Sequence, residues 1–215
     1  LIGASVGGVA AALEPWASPT VAAACAVALG LLVTGCFHED GLADIADAFV
    51  GGWTRDDRLR ILKDPRHGTY GVTAIVASIA LRVAALGALV SSGPKAAFIG
   101  AVSAHAIARS AAVSTMLVAT PATGEGLGAD YVTRLRRGAS VIGIAMAVLI
   151  SAVLGGWWVA VALGVAVPCT VAVARWSKHK IGGFSGDVLG AIEQVVEIGV
   201  LIALSIVAGH HQLWW

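Results

Sequence analysis

Charged residues are scarce in this chain of 215 residues, since Asp, Glu, Lys and Arg together make up only 13% of it. Hydrophobic residues make up 58%, and the mean hydropathy is +0.86. This composition excludes an ordinary soluble domain, in which about 25% of the residues are charged. It is typical of an integral membrane protein.

Cysteines and basic tracts are scarce as well. The three cysteines lie within apolar runs or at the end of one, so no disulfide is expected. A metal site at Cys36 and His38 is disfavoured, because zinc usually draws four ligands from clustered pairs. The net charge is +1, and no basic tract predicts a nucleic-acid partner. Internal repeats and domain boundaries are also missing, so we expect a single integral-membrane domain over residues 1–215.

Six apolar runs are long enough to cross a hydrocarbon core of about 30 Å. They cover residues 17–36, 69–90, 95–119, 138–154, 157–174 and 187–208. Residues 1–13 are apolar but short, and the sequence starts at Leu1, so we expect them to be the end of a truncated first span. The expected fold class is therefore an all-α polytopic membrane bundle of about seven spans.

The basic residues predict the orientation. Eleven of the fourteen fall in loops on one side, Lys95 falls on the other side, and Arg82 and Arg109 lie inside spans. The eleven are Arg55, Arg58, Arg60, Lys63, Arg66, Arg134, Arg136, Arg137, Arg175, Lys178 and Lys180. By the positive-inside rule these loops face the cytoplasm. Segment 37–68 is then a re-entrant or interfacial insertion on the cytoplasmic side.

The run Phe37-His38-Glu39-Asp40-Gly41-Leu42-Ala43-Asp44-Ile45-Ala46-Asp47 is unusually acidic for this chain. On a helical wheel Asp40, Asp44 and Asp47 fall within about 60° of one another, and apolar side chains occupy the opposite face. Clustered carboxylates are typical ligands of a divalent cation, and Gly41 would let a ligand approach the backbone. The alternative is a solvated helix face, on which like charges repel by roughly 0.2–0.5 kcal/mol per pair.

A second motif, Lys63-Asp64-Pro65-Arg66-His67-Gly68-Thr69-Tyr70-Gly71, predicts a tight turn before the next span. Lys63 and Arg66 are candidates for binding phosphate oxygens, and Asp64 is a candidate fourth carboxylate. His67 is interpreted as a flanking residue. The alternative is that the whole motif is the ordinary basic flank of a span.

A third motif, Gly182-Gly183-Phe184-Ser185-Gly186-Asp187-Val188-Leu189-Gly190-Ala191, precedes the last span. Its glycines and serine would expose N–H groups to an anion at the start of a helix, with Gly186 and Asp187 as candidate substrate contacts. An N-cap role for Asp187 is an equally good interpretation.

Charges inside the predicted spans need partners, because a charge at the centre of a span costs roughly 2.5–3.5 kcal/mol. Arg109 and Glu197 each lie about ten residues from the cytoplasmic end of their span, hence at similar depth. His105 shares a helix face with Arg109, and Glu193 shares one with Glu197. A structural ion pair and a polar pocket continuous with the cytoplasmic site both remain open.

In this order along the whole chain, the three motifs resemble the adenosylcobinamide-GDP ribazoletransferases, or cobalamin 5′-phosphate synthases, of bacterial vitamin B12 assembly. The segment Glu125-Gly126-Leu127-Gly128 is a weaker echo of the same family. The chain departs from the family pattern at Ala48, Pro65 and Ser185, where the family generally has Gly, Ser and Thr. None of these departures removes a carboxylate or a cation.

The resemblance implies that a ribose hydroxyl of α-ribazole, or of its 5′-phosphate, attacks the cobinamide-side phosphate of adenosylcobinamide-GDP and that GMP leaves. It implies Mg²⁺ as the cofactor, in a bacterial inner membrane with the site facing the cytoplasm. Membrane lipid is an expected partner, and oligomerisation stays open. The implied metal ligands are Asp40, Asp44, Asp47 and Asp64, and the implied catalytic residues are Asp40, Asp44, Asp47 and His38. Lys63 and Arg66 are the implied phosphate contacts, and with the residues argued above the expected substrate contacts are Lys63, Arg66, Arg82, Arg109, Gly186 and Asp187.

Two other functions fit parts of the sequence. A membrane CDP-alcohol phosphotransferase also has an aspartate-rich helix, but its pattern places Ala-Arg after the Asp-Gly pair, where this chain has Ala43 and Asp44. A divalent-cation transporter would place its carboxylates near the membrane midplane, whereas the densest cluster here is expected in a cytoplasmic segment.

Overall fold

Ten helices account for most of the residues that the computed structural model describes, namely 1–124 and 126–210, and this part of the chain contains no strand. The helices are α1 (Ile2–Leu13), α2 (Pro19–Thr34), α3 (Phe37–Gly51), α4 (Arg55–Ile61), α5 (Thr69–Ser91), α6 (Pro94–Val118), α7 (Leu127–Arg134), α8 (Arg137–Gly155), α9 (Trp158–Ile181) and α10 (Gly186–His210). The expected all-α class is confirmed.

Five helices, α5, α6, α8, α9 and α10, are long and apolar enough to cross a membrane. The described residues thus form five spans, or six if α2 and α3, which meet at an angle of 88°, count as one broken span. The chain is a multi-pass membrane protein. The run at 17–36 is not a straight span, because α2, the helix that it forms, has only 16 residues. Helix α1 has only 12 residues and is also too short to cross the membrane by itself.

Two residues produce the bend between α2 and α3. Gly35 and Cys36 both have left-handed backbone conformations, with φ angles of 63° and 57°. The N–H of Gly35 donates to carbonyls of the last turn of α2, which completes the end of that helix. Helix α3 therefore leaves α2 at a steep angle and packs against α5 and α10. It lies against two membrane spans and is not a detached surface helix.

Helices α6 and α10 form the centre of the bundle. They pack against each other, and α1, α8 and α9 also pack on α6, while α3 and α9 pack on α10. The outer helices α8 and α9 have only 17% of their span buried, against 61% for α6. Large apolar side chains such as Ile142 and Val153 are exposed on α8, as expected for a face that meets lipid.

Glycines bring α1 close to α6. A Cβ atom at Gly3 would lie 2.8 Å from the carbonyl oxygen of Ala101, and one at Gly7 would lie 2.9 Å from Cα of Phe98. Two small residues four positions apart let helix backbones approach closely, which is how membrane helices commonly pack. By contrast, a Cβ atom at Gly8 would meet nothing within 4 Å.

We expect Gly7→Ala to destabilise the protein by about 1–3 kcal/mol, because the added methyl group overpacks the α1–α6 contact. The adjacent substitution Gly8→Ala is the matched control and should leave stability unchanged or slightly higher. Thermal unfolding of the detergent-solubilised variants measures both effects. Equal melting temperatures for the two variants would contradict this account of the contact.

Candidate functional site

Asp47 joins the first sequence motif to the second. Its Oδ2 accepts a hydrogen bond of 2.6 Å from the backbone N–H of Gly68, and its Oδ1 accepts one of 3.0 Å from Gly71. Gly68 is the N-cap of α5 and has no side chain to cap that helix. Asp47 therefore caps α5 from α3. Both glycines are needed, because a Cβ atom at either position would clash with the carboxylate of Asp47.

The other two aspartates of the first motif meet His67. The Nε2 atom of His67 lies 3.4 Å from Oδ1 of Asp40, and its Nδ1 atom lies 3.4 Å from Oδ1 of Asp44. Donor atoms of these three residues all lie within 4.8 Å of one another, close enough to share a metal ion. The three aspartates thus face one segment, residues 67–71, which agrees with the helical wheel. His67, interpreted from sequence as a flanking residue, lies between two of them.

Gly41 allows α3 to contact the start of α10. A Cβ atom at Gly41 would lie 2.8 Å from the carbonyl oxygen of Asp187, and one at Gly190 would lie 3.3 Å from the carbonyl oxygen of His38. The expectation that Gly41 admits a ligand is therefore corrected, because the backbone of α10 occupies that side. This contact brings Asp187 close enough to Asp44 for their charges to interact.

Ser185, and not Asp187, is the N-cap of α10. The N–H of Val188 donates to Oγ of Ser185 over 3.3 Å, which is the usual N-cap geometry. The hydroxyl of Ser185 in turn donates to Oδ2 of Asp187 over 3.1 Å. The cap interpretation of Asp187 is wrong, and its carboxylate remains available to the site.

A cleft of about 180 Å³ is lined by Asp187, whose charge interacts with that of Asp44. We call it the motif cleft, because Lys63 of the second motif and Gly186 and Asp187 of the third motif line it together. Gly126 and Gly128, from the weaker sequence echo, also line it. Three of the residues expected to contact substrate are thus neighbours, while Glu125 lies outside the described residues.

Arg55 fixes one wall of the motif cleft, a role that sequence reasoning missed. Its Nε donates to the carbonyl oxygen of Ile181 over 2.9 Å, and its Nη2 donates to that of Ala122 over 2.8 Å. The backbone N–H of Ala122 donates to the carbonyl oxygen of Phe184 over 2.8 Å, so the loop after α6 and the loop before α10 are tied together. The sequence signal was only a basic residue next to a span.

Asp64 and Arg66 bind each other. The guanidinium of Arg66 donates to both carboxylate oxygens of Asp64 at 2.9 and 2.7 Å, and these hydrogen bonds lower the pKa of Asp64 to about 2. Arg66 is 85% exposed. The group of metal-capable donors around Asp40 and Asp44 does not include Asp64.

A buried ion network lies deeper in the bundle. Arg82 of α5 has its Nη2 2.8 Å from Oε1 of Glu39 and its Nη1 3.5 Å from Oε1 of Glu197. Glu197 also lies 2.8 Å from Nδ1 of His105. Arg82 lies about 20 Å along α5 from Thr69, so the network reaches well into the membrane-spanning region. Its side chains come from α3, α5, α6 and α10.

Arg109 pairs mainly with Glu193, at 2.7 Å, while Glu197 lies 4.0 Å away. Oε2 of Glu193 lies 3.6 Å from Nδ1 of His38. His38 is about 160° around α3 from Asp40, so it faces this buried network and not the cluster of Asp40, Asp44 and His67. Of the predicted site residues, His38, Arg82 and Arg109 therefore lie together in the network, apart from Asp40.

His105, Glu193 and Glu197 also bring donor atoms within 4.8 Å of one another. The guanidiniums of Arg82 and Arg109 already neutralise these carboxylates. A buried carboxylate paired in this way does not attract a further cation as an unpaired one does. We therefore interpret this group as an ion network and not as a metal site.

The fold and the site together define a multi-pass α-helical membrane protein with an acidic site where α3 meets the first turns of α5 and α10. The sequence model of the family described as cobalamin-5-phosphate synthase matches residues 1–205, and the chain belongs to this family. The resemblance of the three motifs is thereby confirmed.

Relatives named adenosylcobinamide-GDP ribazoletransferase agree. The protein from Azorhizobium caulinodans is 38% identical over 199 residues, which cover 89% of this chain and 74% of that protein. The protein from Ralstonia nicotianae is 37% identical over 213 residues, which cover 92% and 79%. The protein from Shewanella piezotolerans is 32% identical over 194 residues, which cover 89% and 75%. No solved structure matches the chain.

We expect Asp47→Asn to lower the stability of the protein by roughly 1–2 kcal/mol, because an amide cannot accept both N–H groups at the start of α5. Asp40→Asn is the matched control, since Asp40 is 62% exposed and repels its neighbours. That control should keep or slightly raise the melting temperature. The cap assignment fails if both variants unfold at the wild-type temperature.

We expect Arg82→Gln to destabilise the protein by about 3–5 kcal/mol, because it leaves Glu39 and Glu197 buried without their partner. Arg66→Gln, which breaks an exposed pair with Asp64, should leave the melting temperature nearly unchanged. Thermal unfolding in one detergent compares the two variants. An Arg82→Gln variant as stable as Arg66→Gln would show that the buried network does not hold the bundle together.

Proposed function

We propose that this chain joins adenosylcobinamide-GDP to α-ribazole, or to α-ribazole 5′-phosphate, and releases GMP. Membership of the cobalamin-5-phosphate synthase family makes the chain a transferase of cobalamin synthesis. One structural observation supports the location of the reaction, namely the convergence of the three motifs. Asp47 binds Gly68 and Gly71, while Gly41 contacts Asp187.

The reaction forms a bond from a ribose oxygen to phosphorus and breaks the bond from that phosphorus to the oxygen that leaves with GMP. Such a transfer depends on in-line positioning and charge neutralisation more than on covalent catalysis by the protein. The hydroxyl proton would pass to a group of the Asp40–Asp44–His67 cluster. His38, the other candidate base, faces Glu193 on the far side of α3.

The proposed cofactor is Mg²⁺, held by Asp40 and Asp44. Carboxylate oxygens are the ligands that this hard cation prefers, and these two carboxylates have no hydrogen-bond donor from Lys or Arg among the contacts of the described residues. Asp47 is engaged by two N–H groups and Asp64 by Arg66, so we give both supporting roles. When bound, the cation would neutralise phosphate oxygens. His67 would keep the carboxylates of Asp40 and Asp44 oriented toward the cation.

Lys63 is the proposed phosphate contact in the motif cleft, where it lies with Gly186 and Asp187. Arg66 would also contact the phosphate by releasing Asp64, because a guanidinium binds a phosphate and a carboxylate in the same bidentate geometry. Arg109 is partly exposed but is paired with Glu193 and does not line the motif cleft, so its contact with substrate stays a prediction. Arg82 is buried between two carboxylates, so we propose that it positions α3 without touching substrate.

The two rival functions explain less. Neither a CDP-alcohol phosphotransferase nor a cation transporter accounts for a family match over residues 1–205. A transporter also needs free carboxylates near midplane, whereas Glu39, Glu193 and Glu197 are all paired with arginines. We propose that the site faces the cytoplasm of a bacterial inner membrane, since it lies at the helix ends next to the basic loops.

A direct assay mixes the purified protein with Mg²⁺, adenosylcobinamide-GDP and α-ribazole and measures GMP release. We expect EDTA to abolish release, and Asp44→Asn and His67→Gln to lower it at least 100-fold, because both disturb the acidic cluster. Asp56→Asn is the matched control, since Asp56 is 93% exposed on α4.

Two results would contradict the proposal. Absence of GMP in the wild-type reaction would contradict the assigned transfer. Full activity of Asp44→Asn with Mg²⁺ present would show that the transfer occurs at another site. The two outcomes differ in the wild-type reaction, which releases no GMP in the first case and releases GMP in the second.

A further inference from the structure

A second cleft, of about 650 Å³, lies between α6, α7 and α8 and has a cationic rim. We call it the lateral cleft. Arg134 and Arg136 line it after α7 and form this rim. Arg109 lines it from α6, where its guanidinium is already paired with Glu193. Among the described residues that line the lateral cleft there is no acidic side chain. A cavity of this size and charge fits an anionic group with a substantial body.

The lateral cleft adjoins an apolar cavity of about 380 Å³ between α6, α8 and α9. Ser110 and Ile144 line both, so the two cavities share a wall. The apolar cavity is formed mostly by aliphatic side chains, among them Val148, Leu163 and Val167. The two adjacent cavities, which we call the joint space, are therefore cationic beside Arg134 and Arg136 and apolar beyond the shared wall. This combination suits an amphiphilic ligand.

The direction of this gradient matches the membrane. Arg136 directly precedes α8, and Ala147, which also lines the lateral cleft, lies about 15 Å further along that helix. Arg134 and Arg136 thus lie at the cytoplasmic interface, while Arg109 lies deeper on α6 and is paired with Glu193. The apolar cavity runs along α6 from Val118, at that interface, to Ile107, deeper in the hydrocarbon layer. Only 17% of the α8 span is buried within the protein, so the cleft borders a helix that meets lipid.

We propose that this joint space binds one anionic phospholipid. Its phosphate binds between Arg134 and Arg136, and an acyl chain lies along Ile144 into the apolar cavity. Basic pockets between membrane helices on the cytoplasmic side are suited to anionic headgroups. A soluble nucleotide or a free phosphate has no group for the apolar part. The motif cleft lies on the other side of α7, where Gly128 and Ala129 line it.

The test uses the full chain in detergent with added phosphatidylglycerol or phosphatidylcholine. Native mass spectrometry counts retained lipid, and thermal unfolding measures protection. We expect one phosphatidylglycerol to remain bound and to raise the melting temperature, with little effect of phosphatidylcholine. The double variant Arg134→Gln/Arg136→Gln should lose this selectivity at least tenfold. Arg175→Gln/Lys178→Gln is the matched control, because these basic residues lie on α9 outside both cavities.

Two further arms exclude other ligands. Glycerol 3-phosphate supplies the headgroup without chains and should give no protection at the same concentration. GMP should not displace the lipid. Protection by glycerol 3-phosphate, displacement by GMP, or equal selectivity in both double variants would each overturn the proposal. Ser110→Leu places a larger side chain at the wall that the two cavities share. This variant should fold but retain less lipid, and it tests the contribution of the apolar cavity separately.

Discussion

A buried ion pair between Glu39 and Arg82 holds the polar helix α3 inside an otherwise apolar bundle. A lone carboxylate at that depth would be too costly, so α3 can pack against α5 and α10 only because α5 supplies a guanidinium. Gln194 adds a hydrogen bond of 3.2 Å to the same carboxylate. Once α3 is fixed, its opposite face lies against residues 67–71 and against the start of α10.

The two faces of α3 separate two kinds of charge. On the inner face each of the three carboxylates is paired with an arginine, as in the pair of Arg109 with Glu193, so two guanidiniums compensate much of their charge. On the outer face, His67 is the one basic side chain that the described residues place within 4 Å of Asp40 and Asp44. Negative charge that the protein leaves poorly compensated is where an added cation gains the most free energy. Helix α3 thus connects a structural network to the proposed metal site.

Much of this arrangement follows from sequence patterns. Apolar run length predicts the spans, and helical spacing predicts the common face of the aspartates, because both depend only on helix geometry. The bend between α2 and α3 does not follow from the sequence, since nothing there indicates a left-handed backbone conformation at Cys36. The partner of Arg109 does not follow either, because Glu193 and Glu197 are one turn apart on one face. The role of Gly41 depends on which backbone lies opposite, which only the packing of α10 determines.

The most direct test of the central claim locates a divalent cation in an experimental structure of the protein prepared with Mn²⁺, by its anomalous scattering. Within residues 1–124 and 126–210, two groups of residues have donor atoms close enough to hold it. Our account predicts a peak between Asp40 and Asp44, next to His67. A peak at His105, Glu193 and Glu197, with none at the aspartates, would contradict the separation of charge on which the account depends.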